Sequence, residues 1–145
     1  MKPSSIVTGN PAATWIYTVD ALGRRTAARD PLGRVVKWRY DERGRLLETT
    51  LPAVSAYSRQ VALPEGKIKN EYNNDDTLHS TRSVDGLVTR YEYDSALKLI
   101  AVHQPGTSRP VRLEYDSLEN VVKMTNSNGK STVYERDAVN RISHV

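Results

Sequence analysis

The chain has no cysteine and no phenylalanine, and its only histidines are His79, His103 and His144. Without cysteine there is no disulfide framework, no thiolate metal site and no sulfur nucleophile, and the redox compartment is left open. The three histidines occupy unrelated places in the pattern described below. No His or carboxylate cluster stands at ligand spacing, so neither a metal nor a cofactor is expected. Long apolar runs are missing too: none approaches the roughly 20 residues that a bilayer helix needs. The opening "MKPSSIVTGN" lacks the apolar stretch of a signal peptide, so no membrane span is expected and export would need another route.

Charge of one sign is equally scarce. The 21 Lys and Arg alternate with 17 Asp and Glu over 145 residues, leaving a net charge of +4 and a pI near 9.4. Interspersed signs mark a solvated mixed surface rather than a basic stripe. What is present is tyrosine, eight of them against two tryptophans, within a hydrophobic content of 38%. That is enough for one modest core and one domain.

The tyrosines bring a period with them. Aligned on the residue that follows the aromatic, Asp20, Asp41, Asn73, Asp94, Asp116 and Asp137 recur at steps of 21, 32, 21, 22 and 21. The long step falls in "LPAVSAYSRQVALPEG" and reads as an insertion at about residues 52–64. A second punctuation lies between the first marks: "DPLG" at Asp30–Gly33, "SVDG" at Ser83–Gly86 and "NSNG" at Asn126–Gly129, with looser versions at Leu63–Gly66 and Gln104–Ser108. Gly, Pro, Asn and Asp supply positive φ, fixed φ and self-capping side chains, so both marks are turns.

Between turns, side chains alternate. One residue before each Asp-type mark stand Val19, Tyr40, Tyr72, Tyr93, Tyr115 and Arg136; three before stand Tyr17, Trp38, Asn70, Tyr91, Leu113 and Tyr134. Between them lie Thr18, Arg39, Glu71, Glu92, Glu114 and Glu135. A step of two puts rings and charges on opposite faces of a strand, whereas a helix would mix them. The run after the turn starts apolar at Leu46, Leu78, Leu99, Val121 and Ile142, with Arg25 the exception. Three residues on come Ala28, Thr49, Thr81, Val102, Met124 and Val145. A spacing of three breaks strand parity, so a bulge or two-sided burial is expected there. The fold class is therefore all-β: consecutive antiparallel hairpins of about 21 residues in one open sheet, too wide to stay flat and so expected to coil.

"YTVDALGRRTAARDPLGR", "WRYDERGRLLETTLP" and "RYEYDSALKLIAVHQPG" resemble the YD repeats of the Rhs family, also found in the C subunits of insecticidal toxin complexes and in teneurins. The resemblance covers residues 14–145 as about five to six repeats and leaves 1–13, "MKPSSIVTGNPAA", as an irregular lead-in able to cover a sheet edge. It implies a β-sheet spiral wound into a hollow shell around a toxin or other C-terminal domain, in a bacterial system of secreted or cell-surface polymorphic toxins. The repeat glycine three after the aspartate is kept at Gly23 and Gly44 and replaced by Asp76, Leu97, Glu119 and Asn140. Asn and Asp tolerate positive φ; Leu97 and Glu119 are expected to force another turn geometry. Nothing here resembles the self-cleavage segment that follows the shell in such proteins.

The candidate binding residues are the aromatic column Trp38, Tyr40, Tyr91, Tyr93, Tyr115 and Tyr134. Such rings could form a platform for carbohydrate, but packing against strand neighbours accounts for them without any ligand. The glutamate row beside them opposes phosphate, so nucleic acid is not an expected partner. The aspartates could suggest a calcium ladder, yet a turn aspartate that caps its own backbone recurs without an ion. Arg39, Lys69, Arg90 and Arg112 share the polar face with the glutamates and should alternate with them in sign. No unit holds a constellation the others lack, so no catalytic residue is nominated and the chain is not expected to be an enzyme. The expected role is a scaffold segment that wraps a partner polypeptide. A secreted carbohydrate-binding repeat module is the alternative, and unpaired sheet edges invite further repeats or self-association.

Overall fold

The computed structural model describes residues 5–8, 14–55 and 62–145. It is all-β. The strands are β1 (Ser5–Thr8), β2 (Trp15–Val19), β3 (Arg25–Arg29), β4 (Val35–Tyr40), β5 (Leu46–Leu51), β6 (Val54–Ser55), β7 (Ala62–Leu63), β8 (Gly66–Tyr72), β9 (Leu78–Arg82), β10 (Val88–Tyr93), β11 (Leu99–His103), β12 (Val111–Tyr115), β13 (Val121–Thr125), β14 (Ser131–Val133), β15 (Glu135–Arg136) and β16 (Ile142–His144). One open antiparallel sheet has the order β1-β2-β3-β4-β5-β8-β9-β10-β11-β12-β13-β14, and β6-β7 and β15-β16 form two small ribbons. Among the described residues no helix is long and apolar enough to cross a membrane.

Part of the sequence placed in the lead-in is strand: Ser5–Thr8 pairs with β2. The insertion carries the β6–β7 ribbon, Val54 opposite Leu63; residues 56–61, like 1–4 and 9–13, lie outside the described residues.

Most of the hairpin turns repeat one construction. In the first, Asp20 N–H donates to Arg24 O at 2.9 Å and Gly23 N–H to Asp20 O at 3.1 Å. The Asp20 carboxylate closes the loop by accepting Leu22 N–H at 3.0 Å and Arg24 N–H at 2.9 Å. The same pattern returns at Asp94, Asp116 and Asp137, and on the opposite end of the strands at Asp30 and Asn126. It requires a left-handed fourth residue, and Gly23 and Gly44 supply it at φ 78° and 85°. The expectation of a different geometry at Leu97 and Glu119 is corrected: their φ values are 62° and 66°. Leu97 N–H still donates to Asp94 O at 3.0 Å and Glu119 N–H to Asp116 O at 3.1 Å. The left-handed backbone costs a non-glycine about 1–2 kcal/mol, and the carboxylate cap with two backbone bonds offsets it.

The expected break in parity is a bulge. Opposite Tyr40 the register jumps from the pair Arg39–Glu48 to Tyr40–Leu46, leaving Leu47 as the extra residue. The same step occurs at Val19, Tyr93, Tyr115 and Arg136. The extra residue turns Leu46 back to the face of Thr49, so both lie on the ring side of the strand although three apart.

The chain divides into two compact units, residues 1–70 with 82–86, and residues 71–81 with 87–145. Each buries little by itself. Among the described residues the buried apolar ones are Ala28 in the first unit and Ala101 in the second, and no large side chain is fully buried.

Candidate functional site

The hairpins present a ring-bearing face and a charged face. In the first unit Trp38 lies opposite Thr49 and Tyr40 opposite Leu46, both half-buried, while Lys37 and Arg39 on the other parity are exposed. Arg24 lies over the Tyr40 ring at 5.0 Å and donates to Asp41 O at 3.2 Å, so a turn cation covers the next hairpin's tyrosine. Arg25, the exception among the apolar starts, fits the same face because its guanidinium lies 4.4 Å from the Tyr17 ring centroid. Trp15 stacks on Tyr17 at 6.5 Å, a ring pair the column reading left out. Asn70, in an aromatic position, instead donates its amide to Leu46 O at 3.0 Å.

In the second unit Tyr91 lies opposite Val102 and Tyr93 opposite Leu99. The Tyr93 hydroxyl donates to Leu78 O at 3.0 Å, and the Tyr115 hydroxyl to Leu99 O at 2.7 Å. Each tyrosine thus ties its hairpin to the one before it. Burial pushes the Tyr93 hydroxyl above its ordinary pKa, with the neighbouring Tyr91 adding to the rise. Lys98 lies 5.7 Å from the Tyr115 ring centroid and 3.9 Å from Glu119 of the same turn row. Tyr134 sits half-buried between β14 and β15, its N–H donating to Val122 O at 2.9 Å. Of the six nominated residues, Trp38 and Tyr91 share one repeat position on their strands, Tyr40, Tyr93 and Tyr115 share another, and Tyr134 falls between two strands.

On the charged face, glutamates meet partners across the strands. Lys123 reaches Glu114 at 2.8 Å, His103 reaches Glu92 at 2.6 Å, and the Ser80 hydroxyl donates to Glu71 at 2.8 Å. In the first unit Glu48, 14% exposed, takes Lys67 at 3.0 Å and Arg39 at 3.9 Å. The Lys67 hydrogen bond, against desolvation, holds the Glu48 carboxyl below its usual range, aided by Arg39 and Lys69. Beside these residues a cleft of about 420 Å³ is lined by Lys37, Trp38, Arg39, Thr50, Glu65 and Lys67, among others.

The turn carboxylates are engaged locally. Arg24 Nε donates to Asp20 at 2.7 Å, Arg34 to Asp30 at 2.5 Å, Arg45 to Asp41 at 2.6 Å and Arg141 to Asp137 at 2.9 Å. Desolvation raises the pKa of Asp20, Asp30 and Asp41, and the arginine and backbone donors outweigh it, so all three are lowered. Backbone donors come first in lowering Asp116 and Asp137. Among the described residues no group of three or more His, Cys, Asp or Glu could hold a metal ion.

Bulged hairpins, most of them capped by a turn aspartate and two of them tied to the preceding hairpin by the hydroxyls of Tyr93 and Tyr115, define a β-repeat fold. Residues 19–53 match the family model described as the RHS repeat. No curated protein matches the chain. Solved structures resemble it in fold. A crystal structure of TcdB2-TccC3-Cdc42 matches with a TM-score of 0.70 at 21% identity over 90% of this chain and 7% of that one. The crystal structure of TcdB2-TccC3 without its hypervariable C-terminal region gives 0.69 at 22% identity, over 90% and 7%. A Photorhabdus luminescens Tc holotoxin pore structure gives 0.69 at 21% identity, over 90% and 6%. The chain therefore spans less than a tenth of the length of these neighbours.

Proposed function

We propose that the chain is a stretch of wall in an Rhs-type shell whose work is to enclose a toxin or other partner polypeptide, in a bacterial secreted toxin system. The observation that carries this reading is how little each unit buries: the enclosed apolar residues are alanines, and the ring-bearing positions are half-buried. A sheet one layer thick gains from further repeats at its edges and from a polypeptide on its face. The strand order ends at β1 and β14, where neighbouring repeats, or a second copy, would add strands. The role is structural, and no residue is assigned to catalysis.

The test is protease protection. The complete reading frame that carries this chain is purified together with the products of its neighbouring genes, and trypsin is added. A toxin segment that survives while the repeats stay intact, and is cut once they are opened with denaturant, is the expected result. A toxin segment digested as fast in the intact protein as in denaturant overturns the reading.

A further inference from the structure

The charged face of the first unit has two adjacent rows across strands β4, β5 and β8. In one, Arg39 lies opposite Glu48 and Glu48 opposite Lys69. In the other, two residues along and so on the same face, Lys37 lies opposite Thr50 and Thr50 opposite Lys67. The first row reads cation, carboxylate, cation. The second reads cation, hydroxyl, cation.

From this pairing we infer that the Lys37–Thr50–Lys67 row is a docking site for a carboxylate of an acidic polypeptide segment. The row with Glu48 serves as an internal template. It shows what these strands do with a carboxylate between two basic strands: Glu48 is drawn in to 14% exposure, with Arg39 of its own row at 3.9 Å and Lys67 of the adjacent row at 3.0 Å. Thr50, 8% exposed, sets a hydroxyl at the matching place, 3.5 Å from Glu48 Oε1. Lys37 is exposed and makes no ion pair among the described residues. The cleft of about 420 Å³ lies over this row.

Charge favours the same occupant. The unit holding the rows carries thirteen Lys and Arg against seven Asp and Glu, a net of +6. A polypeptide can set one carboxylate between the lysines and neutral residues elsewhere. A nucleic acid would lay a run of phosphates over Glu48 and Glu65, which line the same cleft and repel them. That the occupant is polypeptide rests on the wall reading; the cradle itself does not.

The probe is a fluorescein-labelled Ser-Glu peptide, a serine peptide with one central Glu, and its control is the Ser-Gln peptide with Gln in that place; each is titrated with the chain and followed by anisotropy at low and at physiological ionic strength. The intact chain is expected to bind it and to ignore the Ser-Gln peptide. Lys37→Gln, which removes no ion pair among the described residues, should weaken binding about fivefold or more, roughly 1 kcal/mol. Glu65→Gln should tighten it, and Lys123→Gln in the other unit should leave it unchanged. Thr50→Glu, which supplies the carboxylate from within, should abolish it. No binding of the Ser-Glu peptide, equal binding by Lys37→Gln, or tighter binding of oligothymidylate or of phosphatidylserine vesicles would overturn the inference. A chain that binds the peptide yet leaves its toxin segment open to trypsin keeps the cradle and loses the wall.

Discussion

In the first unit the left-handed residue of the Asp20 and Asp41 turns is glycine; in the second, Asp76, Leu97, Glu119 and Asn140 take the same conformation at φ between 62° and 69°. The side chains there are put to use. Lys98 reaches Glu119 at 3.9 Å, and Asn120 accepts from Asn140 at 3.1 Å, where in the first unit Arg24 passes a bare Gly44. Charge divides the same way: +6 in the first unit against −2 in the second, where eight Lys and Arg meet ten Asp and Glu. One hairpin geometry is therefore compatible with either composition. What fixes it is the aspartate cap and the bulge, and what varies is free to serve contacts along the turn row.

The sharpest way to break this comparison is to exchange the turn residues. Gly44→Leu meets no backbone, since an added Cβ would lie 3.5 Å from the flexible Arg24 Nη1. The change should cost about 1–2 kcal/mol by chemical denaturation, the intrinsic price of the left-handed backbone. Glu119→Gly should do the reverse and gain up to about 1 kcal/mol, less what the weak Lys98 pair contributes. A neutral Gly44→Leu would mean that the caps do not hold the first unit's turns as they hold the second's.

Next in size is the tyrosine tie. Tyr115→Phe deletes the hydroxyl bond to Leu99 O at 2.7 Å and should cost about 1 kcal/mol. Tyr40→Phe should cost less, because among the described residues its ring is held by Arg24 at 5.0 Å rather than by a hydroxyl bond. Equal losses in thermal melts would show that the two units use the tyrosine alike.

The smallest effect near neutrality is that of pH. The lowered carboxyls are Asp20, Asp30, Asp41 and Glu48 in the first unit and Asp75, Asp116 and Asp137 in the second. A folded pKa below the unfolded value contributes stability that is present above the unfolded pKa, about 4 for these groups, and lost as pH falls through the folded one. Melting temperature should be flat from neutrality to about pH 5 and decline below about pH 4. Amide exchange at Arg24 and Arg45, whose side chains also pair with the capping aspartate, should rise more steeply there than at Asn120.

Much of the fold could be read from residue order. The step of 21 between Asp20 and Asp41 and the alternation Tyr91-Glu92-Tyr93 are local features, set by turn chemistry and pleat. The odd spacing of Leu46 and Thr49 points to a bulge or to two-sided burial, and the register shows the bulge. Leu97 and Glu119 misled because steric preference is a small term beside a capped turn with two backbone bonds. The strand at Ser5–Thr8 was hidden by the prolines and glycine around it. The Lys37–Thr50–Lys67 row could not be read at all, since Lys67 follows the insertion and its register with Thr50 is a tertiary fact.

The single extra residue beside each tyrosine also sets how such a chain can lengthen. Duplication of a whole hairpin, bulge included, keeps every new ring on the side of the old ones. Recombination that gains or loses one codon between turns would turn the following strand inside out, exchanging rings for charges until the next loop resets the phase. Growth by complete modules is thus the route that preserves two chemically distinct surfaces.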